Sequence, residues 1–219
     1  MELVAITLAR VTTLLQLQTW DPYGRTSTVD ALQMLAAAFT FSKYPKSLAE
    51  IDIQKGIELV DGRMRDIVID KITIYVNGFI VDTRSSTENS EAIVATILKS
   101  IHSAFGAVIS PERKTFTSQV IFRSDITLLA LQPPILKDVS MRLTDTTSAD
   151  LKHPFSFEPT GVIINADLSQ SKIPPSPLTI ERLADTPFSE RLFSSTAPLR
   201  TNEHLEVLEQ FEAALLQSR

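Results

Sequence analysis

Apolar and polar residues alternate along the middle of the chain in a pattern that predicts a β-hairpin. β-Branched residues dominate the stretch 67–83, and Asn77-Gly78 in the middle of it is a preferred two-residue hairpin turn. With Asn77-Gly78 as the turn, Ile74 should lie opposite Val81, on the side of the hairpin that faces the core.

A helix is predicted directly after this hairpin. Ser85 and Glu88 have the spacing of a capping box, and Gly106 suits a C-terminal cap. The residues between them recur at three- and four-residue spacing, as an apolar helix face requires: Ile93, Val94, Ile97, Leu98, Ile101 and Phe105. The central part of the chain is therefore a strand-strand-helix unit.

The flanking segments predict more strands and three more helices. The predicted strands cover residues 3–18, 51–60 (followed by an Asp61-Gly62 turn), 118–123, 126–131, 155–158, 161–168 and 178–183. The predicted helices start at Ser27 or Thr28, at Pro133-Pro134 (ending near Thr146) and at Thr201.

This order of elements predicts the α+β class, with a largely antiparallel twisted sheet or sheets and about four packed helices. We expect a single domain over residues 1–219, or two tightly packed halves, 1–106 and 118–219. Each half offers strands, then a helix, then more strands, and this similar order is only a loose echo, too weak to be called a sequence repeat.

Composition narrows the classes of partner and location. The chain of 219 residues has 26 acidic and 21 basic residues and a net charge of -5, which argues against broad nucleic-acid binding. It has no cysteine, which excludes disulfides and thiolate metal sites. We find no secretion signal and no membrane span, and we expect a cytoplasmic location.

One group of residues suggests an anion site at the start of the central helix. Backbone N–H groups at a helix N-terminus attract anions, and basic and hydroxyl side chains nearby would complete a cradle. The candidate anion-binding residues are Lys71, Arg84, Ser85, Ser86 and Thr87, with Asp82 as the candidate catalytic base or orienting group. The alternative, which we favour, is a surface ion pair beside an ordinary helix cap.

A second group suggests a docking segment. Residues 186–200 read as a long connection without structure of its own, and such connections are often functional. Its candidate partner-binding residues are Phe188, Leu192, Phe193 and Leu199. The alternative, that these side chains fold back over the core, stays open at this point.

The sequence contains no decisive catalytic, nucleotide or metal motif. The three histidines lack metal-ligand spacing, and no glycine-rich phosphate loop or nucleophile elbow is present. We therefore expect no cofactor and no metal, and a non-enzymatic protein-protein interaction or assembly subunit with a protein partner or self-association. The alternative is an enzyme or ligand-binding protein for an anionic phosphate or carboxylate compound.

Overall fold

Eight strands and four helices lie within the residues that a computed structural model of the chain describes, which are 1–15, 28–52, 54–75, 77–105, 111–125, 134–152, 154, 156–167, 169 and 175–217. The strands are β1 (Glu2–Leu14), β2 (Ile57–Met64), β3 (Ile67–Tyr75), β4 (Gly78–Thr83), β5 (Arg113–Arg123), β6 (Gly161–Ile164), β7 (Leu178–Arg182) and β8 (Leu192–Ala197). The helices are α1 (Thr28–Ala38), α2 (Thr87–Phe105), α3 (Pro134–Leu151) and α4 (Thr201–Gln217). The predicted α+β class with an antiparallel sheet and four helices is confirmed.

All eight strands form one sheet in the order β2-β3-β4-β1-β5-β8-β7-β6, and every neighbouring pair is antiparallel. The long strand β1 lies at the centre, with register shifts against β5 between Leu3 and Ala5 and between Ile6 and Leu8. Such irregularities bend a strand. Its predicted end at Gln18 lies outside the described residues.

The order of elements from β1 to α2 is repeated from β5 to α4. Each half runs strand, helix, three strands, helix, and the strand order is mirrored about the central pair of β1 and β5. Because β1 and β5 are antiparallel, the two halves have an approximate two-fold relation. The loose echo in the sequence is therefore a duplicated topology, in which α1 corresponds to α3 and β2 to β6.

Helices α2 and α4 match residue by residue. Thr87 and Thr201, which are 114 positions apart, are the first residues of the two helices and cap each other. The same offset pairs the core-facing residues of α2 (Ser90, Val94, Ile97 and Ile101) with His204, Leu208, Phe211 and Leu215 of α4. Each helix therefore packs on its own half of the sheet, and the two helices use corresponding residues for this contact.

The apolar core is divided into two clusters of very different extent. The first cluster draws buried side chains from α1, α2 and each of the strands β1 to β4. The second has five buried members, Val120, Phe122, Ile180, Phe193 and Leu208, and none of them comes from α3 or β6. Among the described residues, the buried apolar core of the second half therefore receives no side chain from its outermost strand or helix.

The junction of the halves buries an unusual number of polar groups. Hydroxyls and one imidazole, each at most 1% exposed, lie on β4, β5, β8 and the first turns of α2 and α4: Thr83, Thr87, Ser90, Ser118, Ser195, Thr201 and His204. Strand pairing and hydrogen bonds therefore join the halves there, and whether they unfold as one domain stays a prediction.

The β3–β4 hairpin has the predicted faces but a different register. Ile74 lies opposite Phe79 and not opposite Val81, so the predicted pairing is wrong by two residues. Gly78 is the first residue of β4, and a Cβ there would lie 2.1 Å from the backbone oxygen of Thr13. The glycine permits the close approach of β1. A shift of two residues keeps every side chain on its face, so the predicted core face is buried.

A second predicted turn is also wrong. Asp61-Gly62 lies inside β2, because the ring of Phe41 occupies the place of a Gly62 side chain, 2.3 Å from an added Cβ. The chain turns instead at Arg65-Asp66, where Arg65 has the left-handed backbone conformation (φ 55°). Neither residue carries a strong turn signal.

The remaining differences concern element boundaries in both halves. The strand predicted at 51–60 begins only at Ile57 and extends to Met64, and the strand predicted at 118–123 begins already at Arg113. No strand forms at the described residues 156–158, β6 ends at Ile164, and α3 continues past Thr146 to Leu151. The predictions that fall on Ser27, Gly106, Phe155, Leu168 and residues 126–131 lie outside the described residues.

Candidate functional site

Asp82, the candidate base, forms an ion pair with Arg10, which lies 72 residues away along the chain. Arg10 on β1 lies opposite Asp82 on β4, and its Nε and Nη2 donate to the two carboxylate oxygens at 2.7 and 2.8 Å. The hydrogen bond to Asp82 raises the pKa of Arg10. The Asp82 side chain is only 8% exposed, so this bidentate ion pair joins β1 and β4 within the sheet.

The two predicted cations also have carboxylate partners. Lys71 Nζ lies 2.8 Å from Glu58 Oε1, and Arg84 Nε lies 2.9 Å from Asp70 Oδ2. Lys71 is directly opposite Asp82 in the hairpin, but it is Arg10 that binds that carboxylate. An incoming anion would have to compete with these ion pairs for both cations.

The helix start is satisfied by the protein itself. Ser86 Oγ accepts a hydrogen bond from the backbone N–H of Asn89 at 3.2 Å, so Ser86 is the cap and the predicted Ser85–Glu88 capping box is wrong. Ser85 Oγ donates instead to Thr83 Oγ1. The backbone N–H of Asn89, one of the groups that would attract an anion, thus has an internal acceptor.

The threonines at the two helix starts cap each other reciprocally. The backbone N–H of Thr87 donates to Thr201 Oγ1 at 3.0 Å, and the backbone N–H of Thr201 donates to Thr87 Oγ1 at 2.7 Å. Both residues are buried, which removes Thr87 from the surface. Anion binding at the remaining candidates stays a prediction. A titration of wild type and Arg84→Ala with inorganic phosphate tests it, and the absence of saturable binding to wild type would contradict it.

A carboxylate next to this junction ties three elements together. Glu91 on α2 accepts hydrogen bonds from Lys114 of β5 at 2.9 Å and from Arg200 at 2.5 Å. Burial by itself raises the pKa of Glu91, but the hydrogen bonds from these two cations outweigh it and lower the pKa. Arg200 also stacks on the ring of Phe116, 4.3 Å from its centre. The partners are far apart in sequence, so sequence reasoning missed this cluster.

The predicted docking segment is not an unstructured loop. It contains a single 3-10 turn at Phe188–Glu190 and the strand β8. Phe193 is 1% exposed and belongs to the second core cluster, so this side chain packs in the core and is not available to a partner. Leu192 and Leu199 are half-buried, and the ring of Phe188, 36% exposed, lies 4.4 Å from the guanidinium of Arg182. Of the four candidates, Phe188 is the most accessible.

A buried serine-histidine pair lies between β8 and α4. Ser195 Oγ donates to the backbone oxygen of Thr179 at 2.6 Å, so it must accept from Nε2–H of His204, which is 2.8 Å away. His204 Nδ1 then carries a lone pair, which no hydrogen bond from the described residues reaches. Burial lowers the pKa of His204 to about 4. The imidazole has no exposed surface, so a substrate cannot reach it, and the pair is structural.

The exposed apolar residues that stand out lie on α3 and β6 of the second half, and we call them together the α3–β6 surface. It consists of Val139, Met141 and Leu143 on α3, which are 46–56% exposed, and Ile163 and Ile164 on β6, which are 57–58% exposed. Phe157, just before β6, is also exposed, and its backbone N–H donates to Thr144 Oγ1 of α3 at 3.1 Å. This bond connects the helix to the strand segment.

The α3 helix also turns its polar residues inward. Among its described side chains none is buried, and the half-buried positions are Ser140, Thr144, Thr147 and Ser148, at helical spacing. Its counterpart α1 instead buries Leu32, Leu35 and Ala36 against the first core cluster. In the sequence, Ile135, Val139 and Leu143 have the spacing of an apolar stripe on this helix. The side chain of Ile135 lies outside the described part of the chain, and Val139 and Leu143 are exposed and not packed in the core.

Comparison with known proteins adds no functional information. The sequence matches no protein-family model and no curated protein. In the described part of the chain, no group of three or more metal-ligating side chains is assembled, and no helix is long and apolar enough to cross a membrane. A function must therefore be argued from the residues themselves.

Proposed function

We propose that this protein is a non-enzymatic subunit of a protein assembly and that it contacts its partner through the α3–β6 surface. The observation that carries the proposal is the difference between the duplicated halves. The first half buries apolar residues of α1 and β2, whereas none of the described side chains of α3 and β6 is buried. The same topology is thus closed on one side and open on the other.

The exposure of large apolar side chains supports this proposal. Six such side chains, each with roughly a third to three fifths of its surface exposed, lie on α3, β6 and the segment between them. Because adjacent strand residues point to opposite faces of a sheet, Ile163 and Ile164 expose apolar area on both faces of the edge strand β6.

The two edges of the sheet support it as well. The edge strand β2 carries Glu58, Asp61 and Arg63, and its Val60 forms a bridge with Lys43. Charges and covering segments of this kind protect an edge from pairing with other chains. The opposite edge strand, β6, lies in a stretch without any charged residue, 159–166. An apolar and uncharged edge of this kind favours a strand or helix of a partner.

Asp82 pairs with Arg10, and the predicted cations Lys71 and Arg84 pair with carboxylates. These ion pairs support a structural role for the hairpin and thereby a non-enzymatic function. We propose a cytoplasmic location, because a chain without cysteine has no need of an oxidising compartment.

The test is affinity purification of tagged protein from its native extract, with the stoichiometry of the retained protein measured by mass spectrometry. Wild type should retain a partner or a second copy at a fixed ratio, and the double variant Leu143→Glu with Ile163→Glu should lose it. The matched control is Val68→Glu, which places the same charge on an exposed apolar position in the first half, 51% exposed. Full retention by the double variant, or a wild type that is monomeric without a partner, would contradict the proposal.

A further inference from the structure

We propose that α4 is an acid-responsive element of the fold, in which uptake of a proton by His204 releases α4 from the sheet while α2 stays packed. Such a response belongs to the second half alone and does not depend on a partner. Three features carry it: the contacts of the buried imidazole, the hydroxyl at the corresponding position of the first half, and the weaker packing of α4.

The contacts of His204 give a second proton no acceptor. Ser195 Oγ donates to the backbone oxygen of Thr179 at 2.6 Å, so this hydroxyl accepts from Nε2–H of the imidazole, 2.8 Å away. Nδ1 is buried, and no described residue forms a hydrogen bond with it. A proton added at Nδ1 would place an unpaired N–H and a charge on a side chain that is fully buried. The packed arrangement therefore favours the neutral imidazole.

The sheet offers no charge to compensate for that proton among its described residues. Where α4 covers the sheet, β5, β7 and β8 bury apolar and hydroxyl side chains, which do not ionise in this pH range: Ser118, Val120, Phe122, Ile180, Phe193, Ser195 and Ala197. Arg182, two residues after Ile180 on β7, is a cation and is bound by Glu158. These strands therefore do not favour the imidazolium.

The described residues of the two helices offer no compensating charge either. Glu88 and Glu91 of α2 already accept hydrogen bonds, and Glu203 and Glu206, next to His204 on α4, are exposed to water. Burial accordingly accounts for the lowered pKa of His204, which is about 4.

The first half has no ionisable group at the corresponding position. The offset of 114 residues that relates α4 to α2 matches His204 with Ser90, and Ser195 with Val81. Ser90 Oγ donates to the backbone oxygen of Ala9 at 2.8 Å, and a serine hydroxyl gains no proton between pH 7.5 and 5.0. Acid therefore has a direct target under α4 and none under α2, so the first half serves as an internal control.

Helix α4 is also held by fewer buried apolar side chains than α2. Among the described residues it buries Leu208 and Leu215, whereas α2 buries Ile93, Val94, Ile97 and Ile101. An element with few buried apolar contacts opens at a lower cost in free energy than the whole fold. The residue that responds to acid thus lies on the helix that opens more readily.

The size of the response follows from proton linkage. In the open state His204 has its ordinary pKa of 6.5, whereas in the packed state its pKa is about 4. Between these values the open state binds more protons, so the opening equilibrium of α4 should rise about 25-fold when the pH falls from 7.5 to 5.0. Opening uncovers the apolar side chains of the second core cluster.

The test is amide hydrogen exchange of the full chain, measured by mass spectrometry at pH 7.5, 6.5, 5.5 and 5.0. The exchange rate is divided by the rate of an unstructured chain at the same pH, which removes the direct effect of pH and gives the opening equilibrium. Peptides from α4 are compared with peptides from α2 in wild type, His204→Gln and His102→Gln. The last variant removes an exposed imidazole from α2 and is the matched control.

We expect the opening equilibrium of α4 to rise about 25-fold from pH 7.5 to 5.0 in wild type and His102→Gln, and less than about threefold in His204→Gln. In wild type it should also be at least about tenfold larger than that of the slowest α2 peptides at pH 5.0. Equal opening of the two helices would overturn the proposal, because α4 would then open only with the whole fold. The absence of a rise in α4, or a rise that persists in His204→Gln, would overturn it too. If His204→Gln does not fold, the rise in wild-type α4 and its comparison with α2 decide by themselves.

Discussion

The stability of this protein should fall as the pH is lowered from 7.5 to 5.0, and His204 should account for most of the loss. The imidazole is fully buried, with Nε2–H bound to Ser195 and no described donor or acceptor at Nδ1. Protonation in the folded state would place a charge and an unpaired N–H in the core, which is why burial lowers the pKa of His204 to about 4.

The sign and size of the effect follow from proton linkage. The unfolded chain takes up a proton on His204 near its ordinary pKa of 6.5, whereas the folded chain does so only near 4. Between these values the unfolded state binds more protons, so the free energy of unfolding decreases as the pH falls, by about 2 kcal/mol between pH 7.5 and 5.0. The lowered pKa values of Glu91 and Glu212 affect stability only below about 4.5, outside this window.

Urea unfolding followed by circular dichroism at pH 7.5, 6.5, 5.5 and 5.0 measures the effect for wild type, His204→Gln and His102→Gln. The glutamine at 204 keeps an N–H donor for Ser195 and cannot titrate, so this variant should be less stable at pH 7.5 but nearly independent of pH down to 5.0. The exposed position 102 controls for the loss of an imidazole and should keep the wild-type slope. A wild type that loses less than about 0.5 kcal/mol, or a His204→Gln variant that loses as much as wild type, would refute the reasoning.

Two further predictions concern the junction and the hairpin. Thr201→Ala removes the cap of Thr87 and should lower the free energy of unfolding by about 1–2 kcal/mol. Adding Thr87→Ala to this variant should lower the free energy of unfolding by less than Thr87→Ala does in wild type, because the two side chains act as a pair. Fully additive losses in chemical denaturation would contradict this. Gly78→Ala should destabilise the fold by at least about 2 kcal/mol, because the alanine Cβ would lie 2.1 Å from the backbone oxygen of Thr13 and because φ at Gly78 is 151°. A melting temperature unchanged from wild type would contradict this and show that β1 can move away.

The parts of the fold that sequence could predict are those fixed by local pattern. Ile93, Val94, Ile97 and Ile101 recur at helical spacing, and α2 forms there with these side chains buried. Strand β8 was missed because its inward residues Phe193, Ser195 and Ala197 alternate with Ser194 and Thr196, so serines on both faces hide the hydrophobic period. Ser195 is inside because His204, nine residues later, supplies its donor, and no local rule detects that pairing.

The candidate site could be predicted less well than the fold, because its partners come from distant parts of the chain. Asp82 was a reasonable candidate while its neighbours were unknown, but Arg10, 72 residues away, binds both carboxylate oxygens. The outward stripe of α3 reads in sequence like any amphipathic helix. Periodicity shows that Val139 and Leu143 share a side, but it cannot show whether that side meets the sheet or solvent.

The two halves share one topology but differ in the side chains at corresponding positions. On strands β4 and β8, Asp82 and Thr196 occupy corresponding positions, and their cross-strand neighbours on β1 and β5 are Arg10 and Gln119. The first half therefore holds an ion pair where the second has two neutral side chains, and it also has the larger apolar cluster and the charged, bridged edge. At these positions the differences strengthen or protect the first half, whereas the second half has its own ion pair elsewhere, between Arg182 and Glu158. Among the described residues the second half has the smaller apolar cluster and the uncharged edge, which is why we direct the search for a partner to α3 and β6 and not to the hairpin.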